Sequence, residues 1–213
     1  MKDIAVIGLG KFGENVAKKY AELGGNVMVI DNDYVKIQEI SEFVTCAIKA
    51  DVTDADVVKT LGLSNMDAVI VAMTDNMEAA VMATIFAKEE GVPLVIAKCR
   101  SEMQERVLKK VGADKVIFPE KQMGVRVAKN LAMNHLIEAV ELSENYTVAE
   151  IDMPEKWIGK SLVQLGIRQK YGINVVLKKN GHHVEGNIDP HKPFEAGCTL
   201  VVIGENDKIE KLF

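Results

Sequence analysis

Three glycines near the start of the chain have the spacing of a phosphate-binding turn. Gly8, Gly10 and Gly13 follow the apolar run Ile4–Ile7 and precede a helical pattern. In such a turn the first glycine allows the tight bend, the second lets a phosphate approach the backbone, and the third lets the helix pack against the strand. Because the first N–H groups of the helix then face the phosphate, the spacing predicts a nucleotide site.

An acidic residue stands where a ribose would be recognised. Asp31 ends the second predicted strand, at a distance from the glycines that suits a carboxylate accepting hydrogen bonds from ribose hydroxyls. The same carboxylate would repel a 2′-phosphate, and Lys36 is the only cation in the next few residues, so NADP is disfavoured. The alternative is that the glycines serve only a tight turn between strand and helix.

Polar residues also follow the later strands. Asp51, Asn76 and Lys98 come after the third, fourth and fifth strands, where open α/β sheets bind ligands. A solvated loop charge or a helix cap explains each of them equally well. Glu120 follows the sixth strand, and a favourable charge at a helix N-terminus is an equally good explanation for it.

Six apolar runs alternate with helical patterns over residues 1–118. This alternation predicts an α/β fold, with a Rossmann-like doubly wound parallel sheet of six strands in the order 3-2-1-4-5-6. The predicted strands are Ile4–Ile7, Val27–Ile30, Cys46–Ile48, Ala68–Ala72, Leu94–Ala97 and Lys115–Phe118. The predicted helices are Lys11–Leu23, Tyr34–Phe43, Ala55–Leu61, Glu78–Glu90 and Glu102–Val111.

A further helical pattern covers residues 120–142 and places Met123, Val127, Leu131 and Leu136 on one side. Because the sheet is already complete, this helix needs another surface, and a second subunit is favoured. We therefore predict a nucleotide-binding domain over 1–118, a crossover and dimerisation helix over 119–140, and a small α+β domain over 146–213, with a hinge at 139–145. The last domain should contain one short helix ending at Gly172, a strand with a turn, loops, a final strand and a closing helix.

The composition favours a cytoplasmic protein. The 213 residues carry a net charge of −5 and no block of Lys and Arg, which argues against a nucleic-acid partner. No apolar run approaches the ~20 residues of a membrane span, and no signal-peptide pattern opens the chain. Cys46, Cys99 and Cys198 lie far apart and are expected to be reduced.

Catalytic machinery is missing from the pattern. A dehydrogenase normally places a proton-transfer group beside the nicotinamide, but all four histidines lie beyond residue 134. The GxxxxGK[ST] motif of kinases and ATPases is absent too. We therefore expect a binding protein rather than an enzyme. A small NAD-dependent reductase and a soluble redox-sensing regulator remain as alternatives.

Several segments together resemble the cytosolic RCK (regulator of potassium conductance) subunits of bacterial potassium transporters, of the KtrA/TrkA type. They are "IAVIGLGKFGENVA", "VIDNDYVKIQEIS", "ADVTDADVVKTLGL", "DAVIVAMTDNMEAAV", "GADKVIFPEKQMGVRVAKNL" and "LGIRQKYGINVVLKKNG". The resemblance covers nearly the whole chain, in the right order. It implies homo-oligomeric rings, commonly octamers built from dimers, that dock beneath a KtrB- or TrkH-like membrane subunit. The protein would then be peripheral to the inner face of the membrane.

The resemblance also implies a ligand-operated switch. ATP favours the conducting state in this family, ADP favours the resting state, and NAD(H) can occupy the same site. By similarity Glu120 can ligate a divalent cation, Mg²⁺ or Ca²⁺, beside the terminal phosphate. The family often has Arg where this chain has Lys11, and Lys lacks the bidentate fork of Arg.

Residue roles follow from the same resemblance. The glycines hold the phosphates, Asp31 holds the ribose, and Asp51 and Asn76 flank the nucleoside. The predicted nucleotide residues are Gly8, Gly10, Lys11, Phe12, Gly13, Asp31, Asn32, Asp51, Val52, Thr74, Asn76 and Lys98.

The C-terminal domain resembles the RCK-C module, which binds cyclic di-AMP at a dimer interface in Gram-positive relatives. The alternative is a purely structural dimerisation domain. The residues expected to contact cyclic di-AMP are Ile167, Arg168, Asn174, Val175, His183 and Pro190.

Overall fold

The computed structural model describes residues 1–132, 136–143, 145–181 and 183–212. Contacts divide the chain into two compact units, Met1–Gln122 and Met123–Phe213. Each unit has a sheet and a core of its own.

The N-terminal unit is a parallel sheet with the strand order β3-β2-β1-β4-β5-β6, which confirms the predicted fold. Its strands are β1 (Asp3–Ile7), β2 (Asn26–Asp31), β3 (Cys46–Lys49), β4 (Ala68–Val71), β5 (Leu94–Lys98) and β6 (Lys115–Ile117). Its helices are α1 (Lys11–Glu22), α2 (Tyr34–Ile40), α3 (Ala55–Thr60), α4 (Met77–Glu89) and α5 (Glu102–Lys110), and α6 (Pro119–Ala132) begins in this unit.

Helices cover both faces of this sheet, and successive strand residues point to opposite faces, so each strand contributes to both cores. In β1, Ile4 and Val6 belong to the core formed with α1 and α2, whereas Ala5 and Ile7 belong to the core formed with α3, α4 and α5. A strand covered on both faces reads as a continuous apolar run, which is why these strands could be recognised in the sequence. The layered arrangement leaves the carboxyl edge of the sheet free for the loops that carry the predicted site.

The C-terminal unit is an antiparallel sheet with the order β10-β9-β11-β8-β7. Its core gathers Ile151, Trp157, Leu200 and Ile209 on one face of that sheet. The strands are β7 (Leu136–Glu141), β8 (Tyr146–Asp152), β9 (Asn174–Asn180), β10 (His183–Glu185) and β11 (Thr199–Glu205). The helices are α7 (Leu162–Leu165), α8 (Ile167–Tyr171) and α9 (Asn206–Glu210).

The prediction of one continuous helix over residues 120–142 is wrong in its second part. Helix α6 extends to Ala132, residues 133–135 lie outside the described residues, and 136–141 form strand β7. Strand β7 pairs antiparallel with β8, and the Leu142 and Ser143 N–H groups both donate to the Tyr146 carbonyl, at 2.8 and 3.2 Å. The apolar residues of this segment have helical spacing, but pairing with β8 satisfies the backbone in an extended form, which β-branched side chains also favour.

Two smaller differences concern the segment after residue 160. The single predicted helix is divided at Gly166, which has a positive φ of 55°, into α7 and α8. The predicted loop region contains strand β10, which pairs with the end of β9 across a turn at Gly181. Strand β10 has only three residues, so it shows no measurable alternation in the sequence.

Removing the Ile151 side chain should destabilise the C-terminal unit. Ile151 is fully buried, so Ile151→Ala leaves a cavity and should lower the free energy of unfolding by about 2–5 kcal/mol. The control is Ile158→Ala, which makes the same change at an exposed position and should lower it by less than about 1 kcal/mol. Urea unfolding followed by fluorescence reports this unit alone, because Trp157 is the only tryptophan of the chain. Equal losses for the two variants would contradict the described core.

Candidate functional site

A cleft of about 540 Å³ lies at the carboxyl edge of the N-terminal sheet. Loops that follow β1, β2, β3 and β4 line it, together with Lys98 at the end of β5. Eleven of the twelve predicted nucleotide residues are brought together here, and Gly13 lies outside the lining. The eleven are Gly8, Gly10, Lys11, Phe12, Asp31, Asn32, Asp51, Val52, Thr74, Asn76 and Lys98.

The three glycines of the turn are required for three different reasons. Gly8 has a positive φ of 97°, and a Cβ there would lie 2.5 Å from the Met73 Cγ. A Cβ on Gly13 would overlap the Gly8 carbonyl oxygen, so α1 can approach the turn only because this position is bare. A Cβ on Gly10 would meet no atom within 4 Å, so that position keeps open space beside the start of α1.

No side chain caps the N-terminus of α1, because Gly10 occupies the N-cap position. The first N–H groups of a helix have no partner within the helix, and here they border the cleft through Gly10, Lys11 and Phe12. An uncapped helix N-terminus beside open space is suited to bind an anion. By contrast, Asp33, Asp54 and Ser101 cap α2, α3 and α5 with their side chains.

Asp31 is built into the turn as well as facing the cleft. Its Oδ2 accepts a hydrogen bond from the Leu9 N–H at 2.6 Å, and its Oδ1 accepts one from the Asp33 N–H at 2.8 Å. The Lys36 Nζ lies 3.9 Å from Oδ2, and the Asp31 side chain is only 8% exposed. Each carboxylate oxygen retains acceptor capacity, so the group can hold the turn and still accept a hydroxyl.

Asp51 and Asn76 have local partners and also line the cleft. The Asp51 Oδ1 accepts hydrogen bonds from the Thr53 N–H at 2.9 Å and the Thr53 hydroxyl at 2.8 Å. These bonds, that of the N–H first, hold the pKa of Asp51 below its usual value, so the group is a carboxylate at neutral pH. The Asn76 Oδ1 accepts from the Ala79 N–H at 3.0 Å and caps α4. A helix cap and a position in the cleft are therefore compatible for Asn76.

Lys98 and Glu120 form an ion pair with an Nζ–Oε1 distance of 2.7 Å. The Lys98 side chain is 12% exposed and lines the cleft, whereas Glu120, in the first turn of α6, is 59% exposed. The Lys98 Nζ also lies 5.6 Å from the centre of the Phe12 ring. The hydrogen bond from Lys98, followed by a backbone hydrogen bond, lowers the pKa of Glu120. This pair links the cleft to the start of α6.

The sequence predicts Glu120 as a cation ligand, but in a single chain its partner is Lys98. Among the residues that the structure describes, no three His, Cys, Asp or Glu side chains are placed to hold a metal ion. A divalent cation at Glu120 would therefore need oxygen atoms from a bound phosphate or from another chain.

Other cleft residues were not predicted from the sequence. Thr53 orients Asp51, and Asp75 and Glu78 add carboxylates beside Asn76. Arg100 forms an ion pair with Asp75 and so offsets one of these charges. The segment "MTDNMEAA" after the fourth strand contains both acids, and its position at the carboxyl edge was the available indication.

The residues predicted to contact cyclic di-AMP lie on several elements of the C-terminal unit. Ile167 is buried in the C-terminal core, Val175 is half-buried, and Arg168 and Pro190 are exposed. Asn174 begins β9, whereas His183 pairs with Asn180 at the other end of that strand. Six residues of strand place Asn174 and His183 ~20 Å apart. A ligand touching both positions would need to be extended or to lie between two copies.

The N-terminal unit is a Rossmann-type doubly wound sheet with a cleft at its carboxyl edge, and a separate C-terminal unit follows it. The TrkA-N domain model matches residues 4–119, and the TrkA-C domain model matches residues 146–213. The chain therefore belongs to the TrkA-N/TrkA-C family, the RCK subunits of potassium transporters that the sequence resembles. This membership also confirms the expectation that the chain is not an enzyme.

Named relatives agree with the family. The chain is 41% identical over 210 residues to the Ktr system potassium uptake protein C of Bacillus subtilis (strain 168), covering 99% of this chain and 95% of that protein. It is 34% identical over 208 residues to the Ktr system potassium uptake protein A of Vibrio alginolyticus, covering 98% and 94%.

A solved structure of the GsuK channel bound to NAD has a TM-score of 0.66 and 16% identity to this chain. The match covers 97% of this chain and 38% of that one, so the chain spans well under half of the channel's length. At this identity the likeness shows the fold alone.

Substituting alanine for two of the glycines should separate folding from binding. Gly10→Ala places a methyl group in open space at an ordinary φ of −73°, so it should leave the melting temperature unchanged but crowd the phosphate. We expect it to weaken nucleotide binding by about tenfold or more. Gly13→Ala must displace α1 from the Gly8 carbonyl and should destabilise the protein by about 1–3 kcal/mol or more.

Thermal unfolding and titration calorimetry of the two variants test this. Normal nucleotide affinity in Gly10→Ala would show that the open space beside α1 does not receive the phosphates. An unchanged melting temperature in Gly13→Ala would show that α1 is not held tightly against the turn.

Proposed function

We propose that this chain is a cytosolic, nucleotide-sensing regulatory subunit of a potassium-uptake transporter. ATP and ADP are the switching ligands, and NAD(H) can use the same cleft. The observation that carries the proposal is the cleft itself, in which an uncapped helix N-terminus with open space at Gly10 lies near the carboxylate of Asp31. The NAD named for the GsuK channel is consistent with a nucleotide of this type.

The Lys98–Glu120 pair supplies a route from the cleft to α6. Of the ion-paired lysines that line the cleft, Lys98 is the least exposed. Its partner, Glu120, lies in the first turn of α6. When a phosphate oxygen reaches Lys98, the ammonium exchanges one anionic partner for another. Glu120 is then free to bind a divalent cation, Mg²⁺ or Ca²⁺, together with the terminal phosphate. A switch of this kind responds to the length of the phosphate chain.

A second copy of the chain is the expected partner of α6. Met123, Val127 and Leu131 recur every four residues and so share one side of the helix, and all three are exposed, as is Val125. Exposed apolar groups repeated along one side of a helix indicate an interaction surface. We propose a dimer across α6 as the building block of a ring, with eight subunits as the expected ring size.

The partner of the ring is a membrane potassium-transporter subunit of the KtrB or TrkH type. The named relatives are Ktr-system potassium uptake proteins matched over nearly their whole length. In the described part of the chain, no helix is both long enough and apolar enough to cross a bilayer. We therefore place the ring in the cytoplasm, against the inner face of the membrane, with the ion pathway supplied by the partner.

The C-terminal unit is proposed to bind cyclic di-AMP between two copies of the chain. The exposed Arg168 offers a guanidinium to a phosphate, and the ~20 Å between Asn174 and His183 is compatible with a ligand shared by two chains. The proposal rests on the family resemblance of this domain and on these placements.

Glu120→Gln should remove the cation dependence of ATP binding. Titration calorimetry of the nucleotide-stripped protein with ATP, ADP, NAD and NADH should show that ATP and ADP both bind and that Mg²⁺ strengthens ATP alone. The variant keeps the shape of Glu120 but loses its charge, so the Mg²⁺ effect on ATP should disappear while ADP affinity changes little. The matched control is Glu102→Gln, because Glu102 is also exposed and paired with a lysine, Lys121, at 2.8 Å.

Two outcomes would contradict the switch. If only NAD(H) binds and adenine nucleotides do not compete, a redox-sensing regulator becomes the better interpretation. If ATP keeps its Mg²⁺ dependence in Glu120→Gln, the cation is held elsewhere and the proposed link to α6 fails.

Arg168→Ala should weaken cyclic di-AMP binding to the full chain by about tenfold or more, because it removes a charge-assisted hydrogen bond to phosphate. The control is Lys211→Ala, which removes an exposed cation of the same unit that pairs with Asp207. Binding measured by calorimetry that is unaffected by Arg168→Ala would refute the assignment of this arginine.

A further inference from the structure

A second cavity lies in the C-terminal unit, and none of the residues predicted to bind a ligand lines it. It has a volume of about 610 Å³ and is bordered by the segment before α7 and by helices α7 and α8. Buried Trp157 and Leu165 and half-buried Tyr171 form part of its wall, and Lys156, Lys160 and Lys170 also line it. We call it the lysine cavity. Its size is within the range of small-molecule sites.

In the described part of the chain, none of the three lysines is paired with an acidic side chain. Within the described residues no carboxylate lies within 4 Å of their ammonium groups, and no Asp or Glu lines the cavity. The Lys156 Nζ donates to the Leu212 carbonyl at 2.8 Å, and the Lys160 Nζ donates to the Lys156 carbonyl at 3.1 Å. An ammonium group has three donors, so each of these two retains donors for a further acceptor.

Several other lysines of this unit, by contrast, have acidic partners. Four other lysines of the unit each form an ion pair with a glutamate or aspartate; they are Lys178, Lys179, Lys208 and Lys211. The whole chain carries a net charge of −5. A concave surface with three cations and no acid is therefore a local positive site on an acidic protein, which favours anions.

Trp157 forms a buried part of the cavity wall. Its side chain is fully buried, and its indole Nε1–H has no hydrogen-bond acceptor among the described residues. Buried donors without acceptors are rare and call for an explanation. The Trp157 ring lies 5.4 Å from that of Tyr171, and the Lys156 Nζ lies 5.7 Å from the centre of the Tyr171 ring. Trp157, Tyr171 and the Lys156 ammonium group thus lie close together at the wall of the cavity, while the indole N–H itself is buried behind that wall.

We propose that the lysine cavity binds a phosphoryl-bearing anion. Lysine binds phosphate as a point charge, and three such charges around one cavity suit a ligand with more than one phosphate oxygen to offer. The ligand is either a free phosphorylated solute or the headgroup of an anionic phospholipid, since both present the same chemistry. The site shares no residue with the N-terminal cleft or with the predicted cyclic di-AMP set, so it stands independently of the proposed nucleotide switch.

The intrinsic fluorescence of Trp157 tests the proposal in the full chain. The cavity contains the only tryptophan of the protein, so a ligand there should change its emission directly. The probe is inorganic pyrophosphate at constant ionic strength, and we expect a saturable change. The double variant Lys160→Gln/Lys170→Gln should weaken binding by about tenfold or more, because two charge-assisted contacts are lost. Lys192→Gln, an exposed lysine of the same unit outside the cavity, should bind like the unchanged protein.

Vesicles of phosphatidylcholine with and without phosphatidic acid distinguish the two sources. Co-sedimentation that needs phosphatidic acid and is lost in the double variant identifies a lipid headgroup, whereas a pyrophosphate response without such co-sedimentation identifies a free solute. The proposal is overturned if neither probe binds, or if the double variant binds like Lys192→Gln. Circular dichroism of the variants confirms folding, and the exposed positions of Lys160 and Lys170 make misfolding a minor concern.

Discussion

The N-terminal unit depends on the close approach of α1 to the loop before it. A side chain at Gly13 would overlap the Gly8 carbonyl, and a side chain at Gly8 would collide with Met73 beyond β4. The Asp31 carboxylate bonds to the Leu9 N–H and so fastens the end of β2 to the same turn. Three strands of the sheet thus meet at one rigid turn. Gly8, Gly10 and Asp31 all line the cleft, so the rigid backbone of this turn fixes the shape of that part of its wall.

Charge in the cleft is balanced rather than uniformly positive. Asp31 and Asp51 contribute carboxylates, and Lys98 is the least exposed of the ion-paired lysines that line the cleft. A nucleotide contains both an anionic phosphate chain and neutral hydroxyl and amine donors, so a site for it needs cationic and anionic groups in different places. Carboxylates and an uncapped helix N-terminus that line the same cleft meet that requirement. The same distribution opposes a 2′-phosphate beside Asp31.

The N-terminal sheet could be predicted because buried parallel strands have a distinctive apolar pattern and the glycine spacing fixes where the turn must be. Strand β7 could not be predicted, because its apolar residues have helical spacing and its extended form depends on pairing with β8. Most of the cleft followed from the rule that ligands bind at carboxyl ends of strands. Two contacts could not be predicted in this way: the hydrogen bond from the Leu9 N–H to Asp31, and the ion pair of Lys98 with Glu120. Each joins residues 22 positions apart in the sequence. The lysine cavity was missed for a similar reason, since no motif links its lysines.

The two cavities differ in what a bound anion must displace. In the cleft, Lys98 is held by Glu120 and Lys36 lies near Asp31, so an anion that binds either lysine must compete with a carboxylate. In the lysine cavity no carboxylate of the described residues pairs with the lysines, so an anion has none of these to displace. A ligand shifts a conformational equilibrium only through a difference in its interactions with the two states. Displacing Glu120 releases a group on another element and so provides such a difference, whereas an anion in the lysine cavity chiefly stabilises the surface that it neutralises. The cleft is therefore the better placed of the two to transmit a signal.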